Sequence, residues 1–235
     1  MNTSIYNISL FNLLWVMIPV AIVIVIYMRW TEDKSTLFYA LFRMLIQLIL
    51  IGYVLTYIFN VDSPYLILLI LSVMLIAASI ISMRPLEKRQ NGFYFYAFIS
   101  IFVGSIFTLS MVVFGVLNLE PWYEPRYLIP LAGMIFANAM NAVSIAAERL
   151  ESEIDRGNVY IEARVISYKA ALIPRINILF AVGLVSLPGM MTGQILSGVD
   201  PLIAVRYQIM VMLMILGSAG ISVAIYLMFL KKRYA

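Results

Sequence analysis

Residues 65–83 read YLILLILSVMLIAASIISM, nineteen consecutive residues without a charge. Asp62 stands just before the run, and Arg84, Lys88 and Arg89 follow it. A helix needs about 20 residues to cross roughly 30 Å of hydrocarbon. It is also the economical way to pair every backbone polar group inside lipid. The alternative, a closed strand barrel, calls for alternating segments of about ten residues. This run does not alternate, so it predicts a membrane helix.

The same pattern extends to both sides. Seven apolar runs, Ile5–Met28, Leu37–Phe59, Tyr65–Met83, Phe93–Leu117, Tyr127–Ala147, Ile176–Ser197 and Ile203–Leu230, are separated by short polar gaps. The expected fold is all-α, a polytopic membrane protein with seven transmembrane helices. The basic residues fall in alternate gaps: Arg29 and Lys34; Arg84, Lys88 and Arg89; Arg149, Arg156, Arg164, Lys169 and Arg175; and the tail Lys231, Lys232 and Arg233. Thirteen of the sixteen thus lie on one side. Basic residues accumulate in cytoplasmic loops, which places the N-terminus outside and the C-terminus in the cytoplasm. One transmembrane domain over residues 1–235 is expected, with a single sizeable cytoplasmic loop at about 148–174.

Composition excludes several functions. The chain is 63% apolar, with a mean hydropathy of +0.98. It holds neither Cys nor His, so disulfide, zinc and imidazole chemistry are absent. The net charge of +4 follows from topology and forms no nucleic-acid-binding stripe. No GxxxxGK[ST] loop is present, so energy for active transport has to come from another subunit. No nucleophile–base pair or acid pair suggests an enzyme. Every carboxylate lies in a gap or at a span end, which argues against proton or sodium coupling through a buried acid. Asp62, Glu120, Glu124 and Asp200 fall on the outer rim, where they would weakly attract a cation. The first run lacks the basic start of a secretory signal, and no internal repeat supports an inverted-repeat carrier. The expected location is a bacterial-type plasma membrane.

Polar residues within the runs are the candidate site. Arg43 and Gln47 share one face of the second run by their i, i+4 spacing. They read either as an anchor with an interhelical hydrogen bond or as the wall of a transport path. Gly133, Ala137, Asn141, Ser144 and Glu148 form one small and polar stripe in the fifth run, with Asn138 beside it. Such a stripe serves close helix packing or lines a path. The sixth run contains SLPGMMTGQILSGVDP (186–201). Pro188 and Gly189 predict a broken helix whose carbonyls face protein or a cavity, or an inert kink. Ser186, Pro188, Gly189, Met190, Met191 and Gln194 complete the candidate pathway. Between the fifth and sixth runs, Val159–Leu172 reads as a short amphipathic helix closed by Pro174. Its apolar members Val159, Tyr160, Ile161, Val165 and Ile166 suggest a docking surface.

Three stretches, RMLIQLILIGYVLTYIFNVD (43–62), IPLAGMIFANAMNAVSIAAERL (129–150) and the 170–212 segment containing SLPGMMTGQILSGVDP, resemble the FetB-type permeases. These are membrane subunits of ABC transporters linked to iron export, with plant relatives linked to aluminium tolerance. The resemblance implies a homodimeric permease in the lipid bilayer, paired with a cytoplasmic P-loop ATPase that uses ATP and Mg²⁺. It further implies alternating access, with the loop before AALIP as the coupling segment. Gly157, Glu162, Ala163 and Arg164 are the coupling candidates, although the loop is shorter than is usual for the family. Fe²⁺ favours His, carboxylate or water ligands, and the spans offer only carbonyls, Asn138, Asn141, Gln47 and Met sulfurs. A tight dehydrated iron site is not expected, and the metal ligands stay unassigned. A different cargo, such as a sugar nucleotide or an amphipathic drug, and a non-transporting scaffold or sensor subunit remain alternatives.

Overall fold

The computed structural model describes residues 9, 11–31, 35–59, 63–86 and 91–234. They form two compact units, Met1–Asp62 and Ser63–Ala235. The first unit contains α1 (Leu14–Trp30) and α2 (Thr36–Ile58). The second contains α3 (Pro64–Ser82), α4 (Asn91–Ser110), α5 (Pro125–Asp155), α6 (Tyr160–Ala181), α7 (Gly189–Leu196) and α8 (Pro201–Tyr234). A π-helical segment, Met111–Leu117, prolongs α4. No strand occurs among the described residues.

Among the described residues five helices are long and apolar enough to cross a membrane: α2, α3, α4 with its π segment, α5 and α8. Helix α1 is shorter, at 17 residues. The sixth expected span is not one helix. It is divided between the end of α6, a non-helical segment at 182–188, and the short α7.

In the second unit α5 and α8 are central. Helix α5 packs on α3, α4, α6 and α8, and α8 packs on α4, α5, α6 and α7. Helices α4 and α8 run antiparallel: Tyr96 stacks on Phe229 at 5.5 Å, and the Arg233 guanidinium lies 4.5 Å over the Phe93 ring. Their close approach depends on small residues. A Cβ at Gly104 would sit 2.3 Å from Ser222 Oγ and 2.9 Å from the Ser222 backbone nitrogen. Ser100, Ser105, Ser218, Ala219 and Ser222 are all fully buried. Without a hydrophobic drive between helices in lipid, such close backbone packing holds them together.

The expected loop at 148–174 is mostly helix. Helix α5 continues to Asp155, and α6 starts at Tyr160, so only a tight turn separates them. Gly157 takes φ +89°. The Asn158 N–H donates to the Glu153 carbonyl at 3.1 Å and the Gly157 N–H to the Ile154 carbonyl at 2.9 Å. This is a Schellman cap, with glycine at the left-handed position that favours it. The Glu153 carboxylate, 3% exposed, receives Arg149 at 2.6 Å, Arg156 at 3.3 Å and the Asn158 amide. An acidic residue in a polar run is thus the buried hub of the hairpin. Pro174 does not close a helix, because α6 runs through it to Ala181. Membrane helices tolerate such a proline when neighbours satisfy the freed carbonyl.

Candidate functional site

Helix α6 ends at Ala181, seven residues before the proline expected to break it. The chain turns at Gly183, with φ +83°, and its N–H donates to the Ser186 carbonyl at 3.0 Å. Pro188 then serves as the N-cap of α7. Its fixed φ and missing N–H suit a helix start, where no donor is needed. The broken segment was legible in SLPGMM; its extent was not, because the decisive turn residue is Gly183.

A cleft of about 340 Å³ opens between this segment and α8. Gly183, Leu187, Pro188 and Met191 line one wall, and Gln208 and Met212 line the other. Gln208 is 4% exposed, and neither its amide oxygen nor its nitrogen has a hydrogen-bond partner. A buried unpaired amide costs about 1–3 kcal/mol, which makes Gln208 a candidate for a ligand or water contact. Leu179 and Met212 also line a smaller cavity beside it, together with Asn138, Arg175 and Leu216. The Arg175 Nε is buried without a partner. Arg175 lies fifteen residues into α6, about 22 Å from its Tyr160 end at 1.5 Å per residue. Asn138 is thirteen residues into α5, about 20 Å from the opposite end. Arg175 therefore leaves the gap charges and belongs at mid-bundle. Charge in mid-bilayer costs roughly 2.5–3.5 kcal/mol on insertion scales. Sequence reasoning missed Arg175 and Gln208. The available signals were a lone Arg between AALIP and INILF and a lone amide in the last apolar run.

Other expected residues are dispersed. Asn138 is half-buried, and its Nδ2 donates to the Met134 carbonyl at 2.8 Å. Asn141 and Ala137 are exposed, while the opposite face of α5 is buried. The middle of the small and polar stripe therefore points away from the helices packed around α5, while Gly133 lies against Met74 of α3. Met190 lines a different cleft from Met191, of about 290 Å³, with Arg126, Tyr127, Met134 and Tyr207. Gln194 has a buried, unpartnered Oε1, and Ser186 and Gly189 are exposed. Arg43 and Gln47 lie on α2 in the first unit. Glu120 is exposed, Glu124 is the N-cap residue of α5, and Asp200 caps α8 by accepting the Leu202 N–H at 2.8 Å. Asp62 lies outside the described residues. Among the described residues no cluster of three metal-ligating side chains exists.

The coupling candidates need one correction. Ala163 is fully buried, and Tyr160 is 5% exposed, with its hydroxyl donating to the Leu227 carbonyl. Neither offers a docking surface. Gly157 and Glu162 are exposed and Arg164 is half-exposed. Val159 and Ile161 are over 60% exposed. A polar cleft of about 370 Å³ adjoins the same hairpin, lined by Pro85, Glu148, Glu151, Ser152, Asp155 and Arg156.

These features define a multi-pass helical membrane protein with a broken helix and polar groups in the middle of the bundle. Residues 10–235 match the family described as "Uncharacterised protein family (UPF0014)", and the chain belongs to it. It is a multi-pass protein of the bacterial inner-membrane type. It is 34% identical to the "Probable iron export permease protein FetB" of Escherichia coli, over 92% of this chain and 88% of that protein. It is 37% identical to a UPF0014 membrane protein of Synechocystis, over 77% and 75%. It is 33% identical to "Protein ALUMINUM SENSITIVE 3" of Arabidopsis thaliana, over 85% and 77%. No solved structure matches.

Proposed function

We propose that this chain is the permease subunit of an ATP-driven ABC exporter that moves iron or another metal species by alternating access. Kinship along almost the whole length with a protein named as a probable iron export permease carries the reading. With no nucleotide loop of its own, the permease takes its energy from a cytoplasmic P-loop ATPase that binds ATP and Mg²⁺. The N-terminus is outside and the C-terminus cytoplasmic, and the seven spans include the α6–α7 pair as one crossing. The α5–α6 hairpin is the coupling element, with Gly157, Val159, Ile161 and Glu162 facing the ATPase. The stapled turn makes it stiff enough to transmit a push. Two copies pair in the membrane, and the outward Asn141 face of α5 then meets protein instead of lipid. Cargo passes the clefts between α6 and α8, where Met191, Gln208 and Asn138 offer weak contacts in place of a tight dehydrated metal site.

Purification of the tagged chain from cells tests the reading. A P-loop ATPase should copurify, and its hydrolysis rate should rise with iron cargo. In inverted vesicles, uptake should require ATP. Absence of an ATPase partner, or ATP-independent uptake by the chain alone, would refute it.

A further inference from the structure

We propose that the group recognised midway through α5, α6 and α8 is an anion. The cargo presents carboxylate or phosphate oxygens to Arg175, and any iron that passes does so as an anionic chelate. This deepens the proposed function and rests on it.

Arg175 carries a charge at a depth where the chain supplies no opposite one. Its Nε is buried without an acceptor, and among the described residues no carboxylate pairs with it. The twelve acids sit at 32, 33, 62, 87, 120, 124, 148, 151, 153, 155, 162 and 200, all outside or at the ends of the apolar runs. A second, symmetric copy has the same inventory and offers none either. The Arg175 backbone lies fifteen residues into α6, about 22 Å from the Tyr160 end, at the level of Asn138 within the bundle. A half-buried charge whose Nε is left without an acceptor is retained where function needs it, and the missing partner then arrives with the ligand.

The surroundings fit an anion better than a bare cation. A free Fe²⁺ would meet a like charge in a low-dielectric site, where repulsion is strong. The planar guanidinium matches carboxylate and phosphate oxygens through paired hydrogen bonds. Asn138 lines the same cavity. Through the shared Leu179 and Met212 it adjoins the cleft in which the buried Gln208 amide is unpartnered. The cavity that Arg175 itself lines is small, about 40 Å³, room for ligand oxygens alone, while the adjoining cleft of about 340 Å³ is in the range of small-molecule sites and has space for the body of a chelate.

The test uses the permease reconstituted with its ATPase in liposomes. Transport is measured for ferric citrate and for ferrous chloride without a chelator, and metal-free citrate and pyrophosphate serve as competitors. Ferric citrate should be carried, and at least one of the two anions should compete. Competition by citrate alone identifies a carboxylate ligand, and by pyrophosphate alone a phosphate. Arg175→Gln should raise the half-saturating ferric citrate concentration by about tenfold or more, as expected for loss of a charge-assisted hydrogen bond. Arg175→Lys should raise it less, and Lys169→Gln, which removes an exposed charge from the same helix, should leave it unchanged. Chelator-free ferrous iron carried by the wild type, with no competition by either anion and no loss in Arg175→Gln, overturns the proposal. Should Arg175→Gln fail to assemble, competition on the wild type decides by itself. Failure of the proposed function reads differently: no ATPase copurifies and no form of iron moves. Equilibrium dialysis of citrate and pyrophosphate against the purified permease reports the anion site independently of pumping.

Discussion

Gln208 and Glu153 are both buried polar residues, yet they do opposite things. Gln208 has no partner, so Gln208→Leu removes an unpaired amide and fills the space with apolar atoms. That change should raise the midpoint of thermal unfolding in detergent, corresponding to about 1 kcal/mol, while cargo-stimulated ATPase activity falls. A rise in both, or a fall in both, would deny Gln208 a ligand-facing role. Glu153 is fully engaged by Arg149, Arg156 and Asn158. Glu153→Ala strands these donors and should cost about 1–3 kcal/mol, read as a lowered melting temperature and faster proteolysis at the α5–α6 turn. The sequence could not separate the two. A lone amide in an apolar run and an acid in a charged run each have an ordinary reading. Only tertiary packing shows that the acid is buried and the amide unpartnered.

The long helices were legible because their apolar runs exceed what any soluble core needs, and Tyr65–Met83 differs from the observed α3 by only a residue at each end. The elements misread are those where local signals compete with packing. Pro174 reads as a helix end, yet the neighbours of α6 carry the helix past it. Pro188 reads as the break, yet the left-handed turn is at Gly183. A β-carbon there meets no neighbour but is strained by the positive φ, so Gly183→Ala should destabilise by about 1–2 kcal/mol, measured by thermal unfolding. The α4–α8 contact was not foreseen, because small residues at Gly104 and Ser222 look like background in an apolar run. Gly104→Leu forces a side chain against the Ser222 backbone and should separate the helices, with a loss of about 1–3 kcal/mol or more from overpacking. Retained melting temperature in that variant would mean the two helices are not held by this approach.

For the whole molecule, direction and coupling are one question, since the hairpin that docks an ATPase must face the cytoplasm. The basic residues at the foot of α5, α6 and α8 argue for that side. Removing Arg175 from the set lowers the count without changing its sign, because Arg149, Arg156, Arg164, Lys169 and Lys231–Arg233 all stay at the same end. The native chain has no cysteine, so single introduced thiols report position without background. Glu120→Cys, at an exposed loop site opposite the basic end, should react with an impermeant maleimide added to intact cells. Val159→Cys, 62% exposed in the native side chain, should react only after the membrane is opened, and a copurifying ATPase should protect it. Ile161→Asp should then abolish copurification while leaving melting behaviour within about 0.5 kcal/mol of wild type, as for other exposed substitutions. Reversed labelling of the two thiols would invert the permease, and with it the assignment of the hairpin as the coupling element. Correct labelling with undiminished copurification of Ile161→Asp would keep the orientation and move the docking surface elsewhere, to the polar cleft between Pro85 and Asp155.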